Sequence, residues 1–191
     1  MVDLESNGVW VSGKSYTPTH SLTATVNNTM VSTLPVHFFS YGTLLGVSLY
    51  QSFYAGITAY KALPYEMFSK LQQKIFPGYF TIQTVLSAAL LATSPFKLQG
   101  PALYALSTIF GTAAIELFVI LPKAAKIGLA RMAQMEKEGK DARDPTASDD
   151  MKAIHKQFKK MHSVSVLVSM ATVIAELYYG AYFVNRVSIQ V

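Results

Sequence analysis

Residues 101–122 read PALYALSTIFGTAAIELFVILP, and Lys123 follows at once. Between the two prolines stand twenty residues with Glu116 as their only charged side chain. A helix needs about 20 apolar residues to cross the hydrocarbon layer of a bilayer, so this segment has the length and character of a membrane span. Working outward, three further apolar stretches stand at about 34–60, 76–94 and 163–184, and none contains Lys or Arg. The fold class expected is all-α: a polytopic four-transmembrane-helix bundle with amphipathic helices in its connections.

The cationic residues orient that bundle. Thirteen of the sixteen Lys and Arg residues lie in two connections: Lys61, Lys70 and Lys74 in the first, and ten more in the basic helical connection 123–160. Lys14, Lys97 and Arg186 are the remaining three. Cytoplasmic loops carry the Lys and Arg excess, which puts both termini on the non-cytoplasmic (or intermembrane-space) side. Lys61, Lys70, Lys74, Lys123, Lys126, Lys159 and Lys160 are candidate contacts for anionic lipid. Endoplasmic reticulum or plasma membrane is the favoured address, and the mitochondrial inner membrane is possible on the same charge pattern.

Composition narrows the function classes. Apolar residues make up 51% of the chain and charged residues 14%, where a soluble domain carries about a quarter charged. The basic balance, with pI near 9.3 and mean hydropathy +0.28, is assigned to lipid headgroups. Nucleic acid is not an expected partner, because the cations sit where membrane topology wants them. The absence of cysteine removes disulfides, thiolate metal sites and cysteine nucleophiles together.

Residues 1–33 read as a polar, irregular tail rather than a cleaved signal or a mitochondrial presequence, and 34–186 as the membrane domain. Asn27-Asn28-Thr29 matches the glycosylation pattern. Leu34-Pro35 is expected to open the first helix. Residues 65–76 have helical spacing and predict a separate amphipathic helix at the interface, with the second span starting at Pro77-Gly78. Pro122 should kink the chain, and Asp141–Asp150, with Pro145, should break it.

A pattern across 37–80 resembles a known family. His37, Gly46, Phe53, Gly56, Lys61, Leu63-Pro64, Phe68, Leu71-Gln72, Lys74, Phe76-Pro77 and Tyr79-Phe80 resemble the transmembrane protein 205 family of small eukaryotic four-pass proteins. Pro122 and the trio Phe158, His162 and Ser165 agree with it, and the likeness covers roughly 35–185. Glu116, Tyr65 and Tyr50 depart from it. The resemblance implies a four-helix membrane fold and brings no catalytic residue or substrate.

Ionisable groups inside spans mark functional sites by default, because charge is costly in lipid. Glu116 and Glu176 fall at different depths on antiparallel spans, so a polar track is more plausible than a carboxylate pair. Gln51, Gln83 and His37 are candidates to join it. The plainer reading is structural: hydrogen bonds to Ser, Thr, Tyr or Gln on neighbouring helices. Small residues at Gly42, Gly46, Ser48, Ser52, Gly56, Ser107, Gly111, Ser165 and Ser169 are candidates for close helix packing, within the bundle or against a partner. Tyr41, Tyr50, Phe53, Tyr54 and Tyr60 suit lipid contact. No residue pattern points to a catalytic, cofactor or metal site. The function expected is a non-enzymatic membrane subunit that packs against lipid and a membrane partner or a second copy of itself. The alternative is a small transporter working through the intramembrane carboxylates.

Single cysteines placed in 61–74 and in 123–160, in a chain with none of its own, should both react with an impermeant maleimide from the same face of sealed membranes. Labelling from opposite faces, or extraction of the chain by alkaline carbonate, would contradict the membrane reading.

Overall fold

A computed structural model describes residues 20–190, with side chains described over 33–187. The irregular tail expected at 1–33 lies outside the described residues over 1–19, Lys14 included, and is helical from His20 onward. The side chain of Asn27, and with it the match to the glycosylation pattern, also lies outside the described side chains. The described chain is all-α. It forms four long helical rods. The first runs through α1 (His20–Leu49), a π-turn (Tyr50–Ala55) and α2 (Gly56–Ala62). The second is α3 (Tyr65–Ala92). The third joins α4 (Gly100–Ile115) through a second π-turn (Glu116–Ile120) to α5 (Leu121–Glu138). The fourth is α6 (Asp149–Gln190). α4 packs on α6 and α3, α1 on α3 and α6, and α5 on α6 and α3.

Three helices, not four, are long and apolar enough to cross a membrane among the described residues: Tyr65–Ala92, Gly100–Glu138 and Asp149–Val187. The first rod falls short because His37, Ser40, Thr43, Ser48 and Gln51 interrupt its apolar run. Its start also differs from expectation. α1 begins at His20, well before Leu34, and Pro35 lies inside it; residues 21–33 contain no Gly or Pro to stop the helix.

Pro77 does not divide the chain. The separate interface helix expected at 65–76 is the opening of α3, which passes through Pro77 without a break. Pro122 opens α5 directly after the second π-turn. Proline clashes with the carbonyl four residues back, here that of Phe118, and that residue sits in the wide π-turn. The rod therefore continues from Gly100 to Glu138. Gly139, at φ 63°, then caps it in the left-handed conformation that glycine adopts without steric cost. In the 139–148 connection, Thr146 donates its backbone N–H and its hydroxyl to Asp144 (2.7 and 2.8 Å). Those bonds, backbone first, hold the Asp144 carboxyl below its usual range.

Large apolar side chains face outward. Phe38, Phe39, Tyr104, Phe118, Leu167, Ile174 and Val184 are all more than half exposed, a distribution a lipid surround tolerates and water does not. The apolar core is modest: Leu44, Leu90, Leu106, Ile109, Tyr179 and Phe183 at one end, and Met135, Ala142, Ala147 and Met151 under the basic connection.

Gly180 leaves room for the Tyr41 side chain. A Cβ there would stand 1.9 Å from the Tyr41 hydroxyl oxygen, and that hydroxyl donates to the Glu176 carbonyl (3.0 Å). Tyr41 is thus turned inward, away from the lipid contact expected of it; Tyr50, Phe53, Tyr54 and Tyr60 are exposed. Gly180→Ala should cost about 1–3 kcal/mol by overpacking, read as a lowered melting midpoint in detergent. Gly111→Ala, with no neighbour within 4 Å, should be neutral or raise the midpoint slightly. Equal midpoints for wild type and Gly180→Ala would contradict the contact.

Candidate functional site

Polar side chains form a seam through the bundle. At one end His37 Nε2 meets the Tyr179 hydroxyl (2.6 Å) and Nδ1 meets Thr93 Oγ1 (3.1 Å). Further along, Ser48 donates to Glu176 Oε1 (2.9 Å), and Gln83 Nε2 donates to both Ser48 and Tyr79 (2.9 Å each). Glu176 Oε2 is buried with no hydrogen-bond partner. Glu116 accepts from Ser165 (2.9 Å) and Ser169 (3.3 Å) of α6, while Thr172 donates to Thr112 (2.8 Å).

The two glutamates therefore serve different hydroxyls. Seven residues of α6 separate Ser169 from Glu176, a rise of about 10 Å. Gln83 is brought into the Glu176 cluster, whereas Gln51 reaches Gln72 at 3.4 Å, a marginal contact. Each bond of this kind between membrane helices contributes about 0.6–2 kcal/mol.

The small residues divide into two groups. Ser48, Ser165 and Ser169 act as donors in the seam. Gly42, Gly46 and Ser107 are exposed, and a Cβ at Gly42, Gly46 or Gly111 would meet nothing within 4 Å. These positions do not pack within the chain. Gly56 serves its own rod: it donates its N–H to the Gln51 carbonyl to close the first π-turn, and a Cβ there would stand 3.0 Å from that oxygen. Ser52 borders a cavity.

Both π-turns border that one large cavity of about 1340 Å³. It opens between the first rod, α3, the second π-turn with α5, and α6. Phe76, Phe80, Ile120, Ala125 and Val173 line its apolar part, and Glu116 lies on the same wall. Arg131, Arg143, Lys152, Lys156 and Lys159 line its other end. Small-molecule sites usually occupy about 300–1,000 Å³, so this space suits a larger or elongated guest. π-turns inside helices are frequent at functional sites because the extra residue opens the backbone locally.

Arg131 carries no distinguishing sequence context, being one basic residue among ten in its connection. It is 1% exposed. Nη1 donates to the Tyr65 hydroxyl (2.6 Å), Nη2 to Ser69 Oγ (3.0 Å), and the guanidinium lies 3.7 Å over the Phe158 ring. The candidate lipid contacts Lys61, Lys70, Lys74, Lys123, Lys126, Lys159 and Lys160 all stand exposed. Lys70 is paired with Glu66. His162 stacks on Phe158 at the cavity wall, on a different rod from His37. Among the described residues no three potential metal ligands gather.

Residues 39–133 match the model of a domain of unknown function, DUF4149. Xanthocillin biosynthesis cluster protein D of Aspergillus fumigatus is 30% identical over 152 residues, covering 80% of this chain and 89% of that protein. No solved structure matches. These findings correct the likeness drawn from the 37–80 motif. They give no support to the transmembrane protein 205 family, and all of the motif but His37 falls within the DUF4149 segment.

Proposed function

The chain carries the DUF4149 domain and belongs to one family with the fungal cluster protein, and from that premise we propose that it is a non-enzymatic multi-pass membrane protein that holds an elongated, largely apolar guest in the cavity between its helices. The observation that carries this reading is the cavity itself, about 1340 Å³ across the two π-turns. The relative's name belongs to a biosynthesis cluster, and an accessory protein that shelters a small molecule in the bilayer would serve one.

In this reading the first rod is a fourth crossing. Its exposed Phe38, Phe39, Tyr50, Phe53 and Tyr54 face lipid, and its His37 and Ser48 are buried. Both termini then lie on the non-cytoplasmic face, and the basic connections meet anionic lipid. The open Gly42 and Gly46 face suits a membrane-helix partner or a second copy. Endomembrane or plasma membrane is the favoured address, and nucleic acid has no part in it. One observation favours a carrier variant of the same reading: Glu116 lies on the cavity wall, where a moving guest would pass it.

A neutral long-chain alcohol bearing a diazirine, photolysed with the protein in nanodiscs, tests the cavity. Labels should concentrate at Phe76, Phe80, Ala125 and Val173, and Ala125→Trp should lower that labelling several-fold. Labels spread evenly over the outward residues, unchanged by Ala125→Trp, would contradict the reading.

A further inference from the structure

Arg131 is a buried cation to which no acid among the described residues is paired. Guanidinium carries five N–H donors in a fixed fork. Two of its bonds go to neutral hydroxyls, its Nε is buried with no hydrogen-bond partner, and its face is covered by the Phe158 ring. Asp141, which attracts it from a distance, is engaged by the backbone N–H and Nε of Arg143 (2.8 and 3.2 Å). A charge buried without a partner is unfavourable unless something supplies the opposite charge.

The surroundings repeat the demand. His155 Nδ1 is also buried without a partner, and His155 borders the same cavity. Arg143 stacks over Tyr65, 4.0 Å from the ring centroid. Five cations border the cavity against Asp144 and, at the remote end, Glu116. Fifteen residues of one rod separate Glu116 from Arg131, a rise of about 22 Å. The cationic end therefore lies on the side of the basic connection, which the membrane reading sets level with headgroups, and the apolar end lies further along the rods.

We propose that this cavity takes an anionic amphiphile, a carboxylate or phosphate head bound by Arg131 with His155 and Arg143 beside it, and an apolar chain laid along Phe76, Phe80 and Val173. Guanidinium forks bind planar or tetrahedral oxyanions through paired charge-assisted bonds, the strong class of hydrogen bond. The proposal rests on the reading of the cavity as a guest site and adds the identity of the head.

The test compares two diazirine probes of equal chain length in nanodiscs of zwitterionic lipid, a fatty acid and the matching alcohol. The acid should half-saturate cavity labelling at least about tenfold lower than the alcohol. Arg131→Gln should erase that difference by weakening acid labelling far more than alcohol labelling, and Arg131→Lys should restore part of it. A merely structural role for Arg131 would move both probes together. Equal half-saturation of the two probes in the wild type would overturn the head assignment and leave the cavity reading intact. Failure of both to label the cavity would overturn the two together. Displacement of the acid by excess inorganic phosphate would make a free anion the occupant and overturn the amphiphile.

Discussion

The buried polar side chains of this bundle find their partners on neighbouring helices. Large apolar side chains (Phe, Leu, Ile, Val and Tyr) crowd the outward surface, and the buried set includes His37, Ser48, Gln83, Glu116, Arg131, Thr172 and Glu176. In water the hydrophobic effect would sort these residues the other way. In hydrocarbon an unsatisfied polar group costs several kcal/mol, so each must find a partner on another helix. Hydroxyl, amide and carboxyl contacts tie the first rod to α3 and α6, and α4 to α6. The apolar clusters at either end then need only be small.

The cavity has its origin in the same chain. Two π-turns each add a residue to a helical rod, one closed by Gly56 onto the Gln51 carbonyl and one placed before Pro122. Each turns a stretch of backbone away from ideal helix packing, and the space between them stays open. Glu116, within the second π-turn, meets Ser165 and Ser169 at its edge. The cationic end exists because α5 carries Arg131 about one turn beyond Gly128, where a Cβ would stand 3.2 Å from Gln73 Nε2 and 3.7 Å from the Phe158 ring. A large side chain at 128 would push α5 from α3 and α6 and dissolve that corner.

The all-α character and three of the four expected spans were legible in the sequence, because apolar length is a local property that survives without tertiary information. The breaks at 93–99 and 139–148, and the long helix through 163–184, are explained by Pro, Gly and apolar runs. The first rod was less legible. A hydropathy average treats His37 and Ser48 as interruptions, whereas in the fold they are the inward face. Pro77 misled because α3 runs through it instead of starting there. The site was least legible. Arg131 was one cation among ten in its connection, and only the packing of Tyr65, Ser69 and Phe158 around it distinguishes it. Gly180 carried no sequence signal either; its role appears when Tyr41 of another rod lies against it.

The claim on which all this rests is that lipid surrounds the outward apolar face while polar groups are held within. Spin labels at Phe118, Leu167 and Ile174, compared with labels at Lys123 and Lys160, measure it directly through collision with oxygen and with a water-soluble nickel chelate. High oxygen and low nickel accessibility at the first three, reversed at the lysines, is the expected result. Strong nickel access at Phe118, Leu167 and Ile174 would mean that water, not hydrocarbon, covers that face, and would contradict the membrane bundle.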